Sequence, residues 1–297
     1  MSDSIKHISP LRQRMIEDMS LRKLSPKTQT QYIRAVVKLT RFLKQSPDTA
    51  TAEDLRLFQL HMSENEVSNT TINATITGLR FLFETTLDDH HILRKMSSVH
   101  VPRKLPTVLS TEEITRIIDA ASNLKYKAAL AIAYAAGLRS SEIVHLKVSD
   151  IDSERMIIHV SQGKGDKDRY ALLSPELIKI LQQWWLSAYA QGKISRSGWL
   201  FPGKKQDVPM TTRQLNRVCH SAVTKAGIDK RVSMHTFRHS FATHLLEQRV
   251  DIRVIQVLLG HKKLETTALY SQVATATLQE VKSPLDYLKL KPTTKKE

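Results

Sequence analysis

The chain has 297 residues, enough for two domains of ordinary size. Hydrophobic residues make up 41% and charged residues 25%, a globular balance that excludes wholesale disorder. Lys and Arg number 45 against 29 Asp and Glu, a formal net charge of +16, and an excess of that size points to a polyanionic partner, most often nucleic acid.

The first domain, residues 1–100, reads as all-helical and carries a net charge of +3. Its opening residues, MSDSIKHISP, show no apolar signal segment. Ser25-Pro26 has the form of an N-cap followed by proline at the first helical position, and predicts a helix running to about Lys44. At 100° per residue, Lys27, Arg34, Lys38 and Arg41 fall in a stripe about 60° wide. Tyr32, Ile33, Val36, Leu39 and Leu43 lie opposite, so one face packs and the other is a basic ridge suited to DNA phosphates or simply to water. Thr51 and Asp54 resemble a second cap, and 69–86 reads as a further helix ending in Phe81, Leu82 and Phe83.

Val101-Pro-Arg-Lys-Leu-Pro106 brackets two cations, Arg103 and Lys104, between prolines and reads as a linker over 101–109, with DNA-contacting potential of its own. Ser110 and Glu113 have capping-box spacing and open the second domain, 110–297. Residues 101–297 together carry +13. Helices are predicted over Ser110–Ala121, Tyr126–Ala136 and Ser140–Leu146, with Gly137 closing the second. The longest apolar run, Ala128–Leu138, is too short to span a bilayer. A hairpin follows: Arg155–Val160, turn residues Gly163–Asp168, and a return over Arg169–Leu173. Further helices are expected at 175–190, 212–226, 235–248 and 252–259, with Gly227 and Gly260 at C-cap positions. The fold class is therefore mainly α with a small β-hairpin or sheet. A single cysteine, Cys219, excludes an intramolecular disulfide framework and a thiolate metal cluster, and reads as a small buried residue.

Nucleotide-hydrolysis loops, nucleophile elbows and two-metal carboxylate cages are absent from the sequence, so phosphate chemistry would fall to the chain's own cations. Four segments supply them: Gly137-Leu-Arg139-Ser-Ser-Glu142-Ile, Gly163-Lys164-Gly165, His235-Thr-Phe-Arg238-His239, and Leu259-Gly-His261 followed nine residues later by Tyr270. Taken singly each has an ordinary structural reading. His235 and His239 at i, i+4 could ligate zinc, but no Glu follows His235 and the thiols are missing, so no metal is expected.

In this order and spacing, Arg139, Lys164, His235-x-x-Arg238, Leu-Gly-His261 and Tyr270 resemble the signature of the tyrosine recombinases, the phage integrase family. The wording around them is similar too: Ala-Gly-Leu-Arg-Ser-Ser-Glu-Ile, Gly-Lys-Gly-Asp-Lys-Asp-Arg and His-Thr-Phe-Arg-His-Ser-Phe-Ala-Thr-His-Leu-Leu. Asp251-Ile-Arg, Thr266-Thr and Ser283-Pro-Leu-Asp286 resemble the integron-integrase subgroup. That subgroup carries an extra segment before His-x-x-Arg, for which the stretch from Trp199 through Thr211 leaves no room, so a mobile-element integrase or a Xer-like resolvase fits better.

The resemblance implies a helical, SAM-like core-binding domain followed by a catalytic domain, and strand cleavage and rejoining through a 3′-phosphotyrosyl intermediate with neither ATP nor metal nor any other cofactor. Tyr270 would be the nucleophile. Arg139 and Arg238 are permanently charged forks matched to nonbridging oxygens, His235 and His261 add hydrogen bonds, and His235 can also move the phenol's proton. Lys164 would protonate the leaving 5′ oxygen, and Glu142 would buttress Arg139. His239 and His244 read as structural. The partner would be double-stranded DNA bearing specific sites, engaged by four protomers that are monomers when free. Residues Thr275–Val281 and Ser283–Leu288 would then dock between protomers. No membrane and no small-molecule substrate are expected, and the location would be cytoplasmic, at the nucleoid. Two other readings are a DNA-binding protein that has lost catalysis, which the full residue set disfavours, and a type IB topoisomerase.

Overall fold

The structure is a computed structural model, and it describes residues 8–102, 105–161, 168–261 and 263–272. It is mainly helical with one small antiparallel sheet, and it separates into two compact units, residues 1–103 and 104–297. Lys164, Arg103, Lys104 and the C-terminal segments 275–281 and 283–288 lie outside the described residues.

The first unit holds four helices: α1 (Pro10–Leu21), α2 (Pro26–Leu43), α3 (Ala52–Glu64) and α4 (Asn69–Arg80). α2 starts as its Ser-Pro predicts, with the Ser25 hydroxyl accepting from the Thr28 amide. α3 opens with a full capping box between Thr51 and Asp54. α1 was not anticipated, yet it carries the same signal, since Ser9-Pro10 repeats the Ser-Pro of α2. The chain beyond α4 continues helically but widens into a π-type turn over Phe81–Thr86, whose Phe81, Leu82 and Phe83 are buried. Met15, Met19, Leu39, Leu55, Phe58, Ile76 and Leu79 fill the same core. Each such side chain contributes about 1.5–3 kcal/mol through burial. α2 and α4 lie close: a Cβ added at Gly78 would stand 2.8 Å from the Ala35 Cβ and 3.1 Å from the Tyr32 Cα. With Ala35 and Leu39 turned into the core, Lys27, Arg34, Lys38 and Arg41 are all exposed, and among the described residues no carboxylate pairs with them.

The second unit is built round α6 (Leu124–Ala135), whose Ala128–Ala133 are all buried. A helix apolar on every side belongs at a domain centre, and its alanines let neighbours approach. Those neighbours are α5 (Thr111–Asp119), α8 (Pro175–Ala190), α9 (Thr212–Lys225) and α10 (Met234–Glu247). α7 (Ser140–Val144) is a single turn. The sheet has the order β1-β2-β3, with β2 (Ile157–Val160) pairing β3 (Arg169–Leu172) as the expected hairpin. β1 (Ile151–Asp152) is a third strand that two residues were too short to announce by alternation. α11 (Ile252–Leu259) and α12 (Glu265–Ala268) complete the unit, and a 3₁₀ turn over Leu269–Gln272 follows. Among the described residues no helix is long and apolar enough to cross a membrane.

Candidate active site

α6 ends at Gly137, which has φ +59°. A Cβ there would come 2.4 Å from the Phe241 ring, so only glycine fits both the backbone and the space. This turn delivers Arg139 to the N-cap of α7, one turn ahead of Glu142. The Glu142 carboxylate accepts from the Arg139 amide at 2.7 Å and from Arg139 Nη1 at 2.7 Å. It also accepts from Arg169 Nη2 at 3.0 Å. Burial pushes the Glu142 carboxyl up, but Arg169 and the charge and hydrogen bonds of Arg139 outweigh it and hold the group below the usual carboxylate range. Glu142 is thus a buried counterion shared by two arginines.

Arg169 stands on β3 on the same face as buried Ala171, and its Nε donates to the Leu258 carbonyl at 3.1 Å. Gly260, at φ +62°, makes room for it: a Cβ there would sit 2.8 Å from Arg169 Cδ. Arg139 Nη2 reaches the Gly260 carbonyl at 3.3 Å. Arg238, only 3% exposed, donates from Nη1 to the Gly137 carbonyl at 2.7 Å and from Nη2 to the Leu259 carbonyl at 2.5 Å. Its fork therefore bridges the ends of α6 and α11. Burial, reinforced by Arg139, lowers its pKa to about 10, still charged at neutral pH.

His235 lies one turn before Arg238 and is exposed at one edge. The burial it does have, then Arg238 and Arg139, lower its pKa. His261 follows Gly260 and is fixed by a hydrogen bond between its Nδ1 and the Thr267 hydroxyl, 3.0 Å. Burial and the charges of Arg238 and Arg139 bring its pKa down to about 4. Tyr270, 3% exposed, sits on the 3₁₀ turn with its ring centroid 6.2 Å from that of His261. Burial raises the phenol's pKa against the opposing charges of Arg238 and Arg139.

The structure thus gathers Arg139, Glu142, His235, Arg238, His261 and Tyr270 around the ends of α6 and α11. It also adds two residues. Arg169, the last residue of Gly-Lys-Gly-Asp-Lys-Asp-Arg, joins through Glu142. His239, read from the sequence as structural, places Nδ1 3.1 Å from the Tyr270 hydroxyl, with ring centroids 5.5 Å apart. Its signal was available, because His235, Arg238 and His239 are spaced i, i+3, i+4 and share one helix face. His244 is structural, its Nδ1 2.8 Å from the Tyr134 hydroxyl. Cys219 is buried, and burial alone pushes its thiol up to about 12. Among the described residues no three potential metal ligands converge. Chemically, the cluster sets three arginines against one carboxylate beside a phenol, an arrangement able to stabilise developing negative charge.

Both units of the chain resemble known proteins. The family model described as the phage integrase family matches residues 107–277, and one described as the phage integrase N-terminal SAM-like domain matches residues 11–92. A Sinorhizobium fredii protein named as an integrase/recombinase is 40% identical over 284 residues, covering 95% of this chain and 90% of the relative. The tyrosine recombinase XerA of Pyrococcus horikoshii is 34% identical over 232 residues, 77% of this chain and 79% of its own. Among solved structures, a lambda integrase tetramer bound to a Holliday junction shares the fold, with a TM-score of 0.72 at 17% identity over 88% of this chain and 76% of that one. With both units matched and nearly the whole length aligned to a relative, the chain belongs to the phage integrase family and is a tyrosine-type site-specific recombinase, an enzyme of DNA cleavage and rejoining.

Proposed function

We propose that the chain cleaves duplex DNA through Tyr270, forming a 3′-phosphotyrosyl bond and freeing a 5′ hydroxyl. The observation that carries this reading is the shared anchoring of the two arginines. Arg139 and Arg238 donate to the carbonyls of Gly260 and Leu259, immediately before His261, and Tyr270 stacks beyond that histidine. A phosphodiester gains negative charge as it becomes five-coordinate, and cations fixed beforehand stabilise that change without reorganising. Arg139 and Arg238 take the nonbridging oxygens, His235 and His261 donate further hydrogen bonds, and Glu142 keeps Arg139 in place. Lys164 is the acid for the departing 5′ oxygen. The bond energy is stored in the phosphotyrosine, so the reaction runs without cofactor and survives excess chelator.

The first unit serves as the core-binding domain, its exposed Lys27, Arg34, Lys38 and Arg41 ridge lying along phosphates, with Arg103 and Lys104 continuing the contact from the linker. Charge reversal at Lys27, Arg34 and Lys38 together should lower the salt dependence of DNA binding by up to about three counterions. Four protomers on two duplexes carry out exchange, in keeping with the tetrameric lambda integrase complex. Integration or transposition of a mobile element is the favoured role. The Pyrococcus relative supports Xer-like resolution as the second reading. Such work places the protein with the chromosome in the cytoplasm.

A nicked suicide duplex tests the assignment. The wild type should accumulate a covalent adduct that resists denaturation, whereas Tyr270→Phe should bind the duplex equally and form none. An adduct at wild-type level from the Phe variant would refute Tyr270 as nucleophile.

A further inference from the structure

Tyrosine chemistry at neutral pH needs a route for the phenol's proton, since an unperturbed phenol titrates near pH 10. Burial and the arginines act in opposite directions on Tyr270, and burial prevails, so the arginines alone do not ionise it. At 3% exposure the hydroxyl has little access to bulk water. Among the described residues its hydrogen bond is to His239 Nδ1, and no such bond links it to His235. The His235 ring lies 6.4 Å from the His239 ring, one turn toward the start of α10.

Resting on the reading of Tyr270 as nucleophile, we propose that His239 is its proton partner, orienting the phenol through Nδ1 and accepting its proton as the oxygen bonds to phosphorus. Burial, His235 and Arg238 keep this imidazole neutral at pH 7, the form with a free ring lone pair. In the Nε2–H tautomer the phenol donates to Nδ1. As the Oη–P bond forms, the O–H proton passes to Nδ1 and the P–O5′ bond breaks. The 5′ oxygen takes a proton from the general acid, Lys164 in the reading above. Religation reverses each transfer: the incoming 5′ hydroxyl yields its proton to that acid's conjugate base, and the imidazolium returns its proton to the departing phenolate. The extra positive charge on His239 appears only when the phosphorane carries extra negative charge beside it. That timing makes a weakly basic imidazole adequate, because the phenol oxygen becomes acidic as it turns into an ester oxygen.

Asparagine separates orientation from proton transfer, because its Oδ1 lies about where Nδ1 was and can accept the hydrogen bond but holds no proton at neutral pH. Single-turnover adduct formation on the nicked duplex should be flat from pH 6 to 9 for the wild type. His239→Ala and His239→Asn should each be slower by about 10²-fold at pH 7 while binding DNA unchanged. Their rates should climb about tenfold per pH unit as the phenol ionises unaided, and free imidazole should partly restore the Ala variant. A His239→Asn enzyme with wild-type rate and a flat profile would overturn the proposal, leaving His239 an orienting group. A tenfold-per-unit climb in His235→Asn, with none in His239→Asn, would overturn it in favour of His235. Tyr270→Phe run alongside reports on the nucleophile itself: adduct there would refute the underlying reading, whereas absence of adduct with unaffected His239 variants would refute this proposal alone.

Discussion

The two halves of the site are anchored in different ways. The arginine half is fixed to the main chain and to a buried carboxylate. Arg238 bridges two carbonyls, Arg139 and Arg169 share Glu142, and both of these also reach carbonyls near the end of α11. The tyrosine half hangs from a 3₁₀ turn, and among the described residues the hydroxyl meets a side chain, His239, rather than the backbone. Charge stabilisation is therefore part of the folded core, so that defects there should damage folding as well as rate. Placement of Tyr270, the proposed nucleophile, depends on side chains, so defects there should damage rate and pH response with little loss of stability.

Glu142 offers the largest effect on the first half. Its side chain is 4% exposed, and its removal leaves Arg139 and Arg169, whose side chains are 20% and 10% exposed, without their counterion. Glu142→Ala should destabilise the second unit by about 3–5 kcal/mol in urea unfolding, the range for breaking a buried pair from one side. Glu142→Gln, which can still accept from one arginine, should lose less. A loss under about 1 kcal/mol for the alanine variant would mean that the arginines are solvated and that this half is not core-anchored.

Arg238→Lys comes next. A lysine keeps the charge but offers a point donor, which cannot serve the Gly137 and Leu259 carbonyls and a phosphate at once. Adduct formation should fall by about 10²–10³-fold, the usual effect of removing one preorganised donor, with DNA affinity nearly unchanged. If lysine supports wild-type cleavage, charge alone suffices and the fork geometry is irrelevant.

How much of this contrast was visible in the sequence follows the same division. Local signals announced local structure: the Ser25-Pro26 start, the Thr51 and Ser110 capping boxes and the glycine at 137 all behave as their chemistry requires. α1 carries an equally plain Ser9-Pro10 signal, and its apolar residues at 11, 15 and 19 recur every four, so this helix too is legible from local chemistry. The two-residue strand β1 was not legible, because its pairing with Ile157 and Ile158 is a tertiary fact. The motif residues were legible as a set through their resemblance to a family, but their bonding was not. That Arg238 addresses carbonyls 101 and 21 residues away depends on where α6 and α11 end against α10. The pairing of His239 with Tyr270 spans 31 residues, and helical spacing could show only that His239 faces the same way as Arg238.

The smallest effect concerns pH, and it sharpens the contrast from the tyrosine side. His239 and His261 both have folded pKa values of about 4, set chiefly by burial, against about 6.5 in an unfolded chain. Between those limits the unfolded chain binds more protons than the folded one, so stability rises with pH across the window and falls as pH drops through it. The stabilising contribution is complete above about pH 6.5 and gone below about pH 4. The wild type should therefore lose urea resistance from pH 7 to 4.5 with a slope approaching two protons in the second unit's transition. His239→Asn and His261→Asn should each remove up to one proton from that slope, and the double variant both. Each variant should sit within about 1 kcal/mol of the wild type near pH 7, where the rings are neutral, and should be more stable than it near pH 4.5, where the wild type must charge a buried ring. A slope unaltered by either change would show that the two rings are solvated, and the tyrosine half would then lack the dry surroundings that keep His239 in its accepting form.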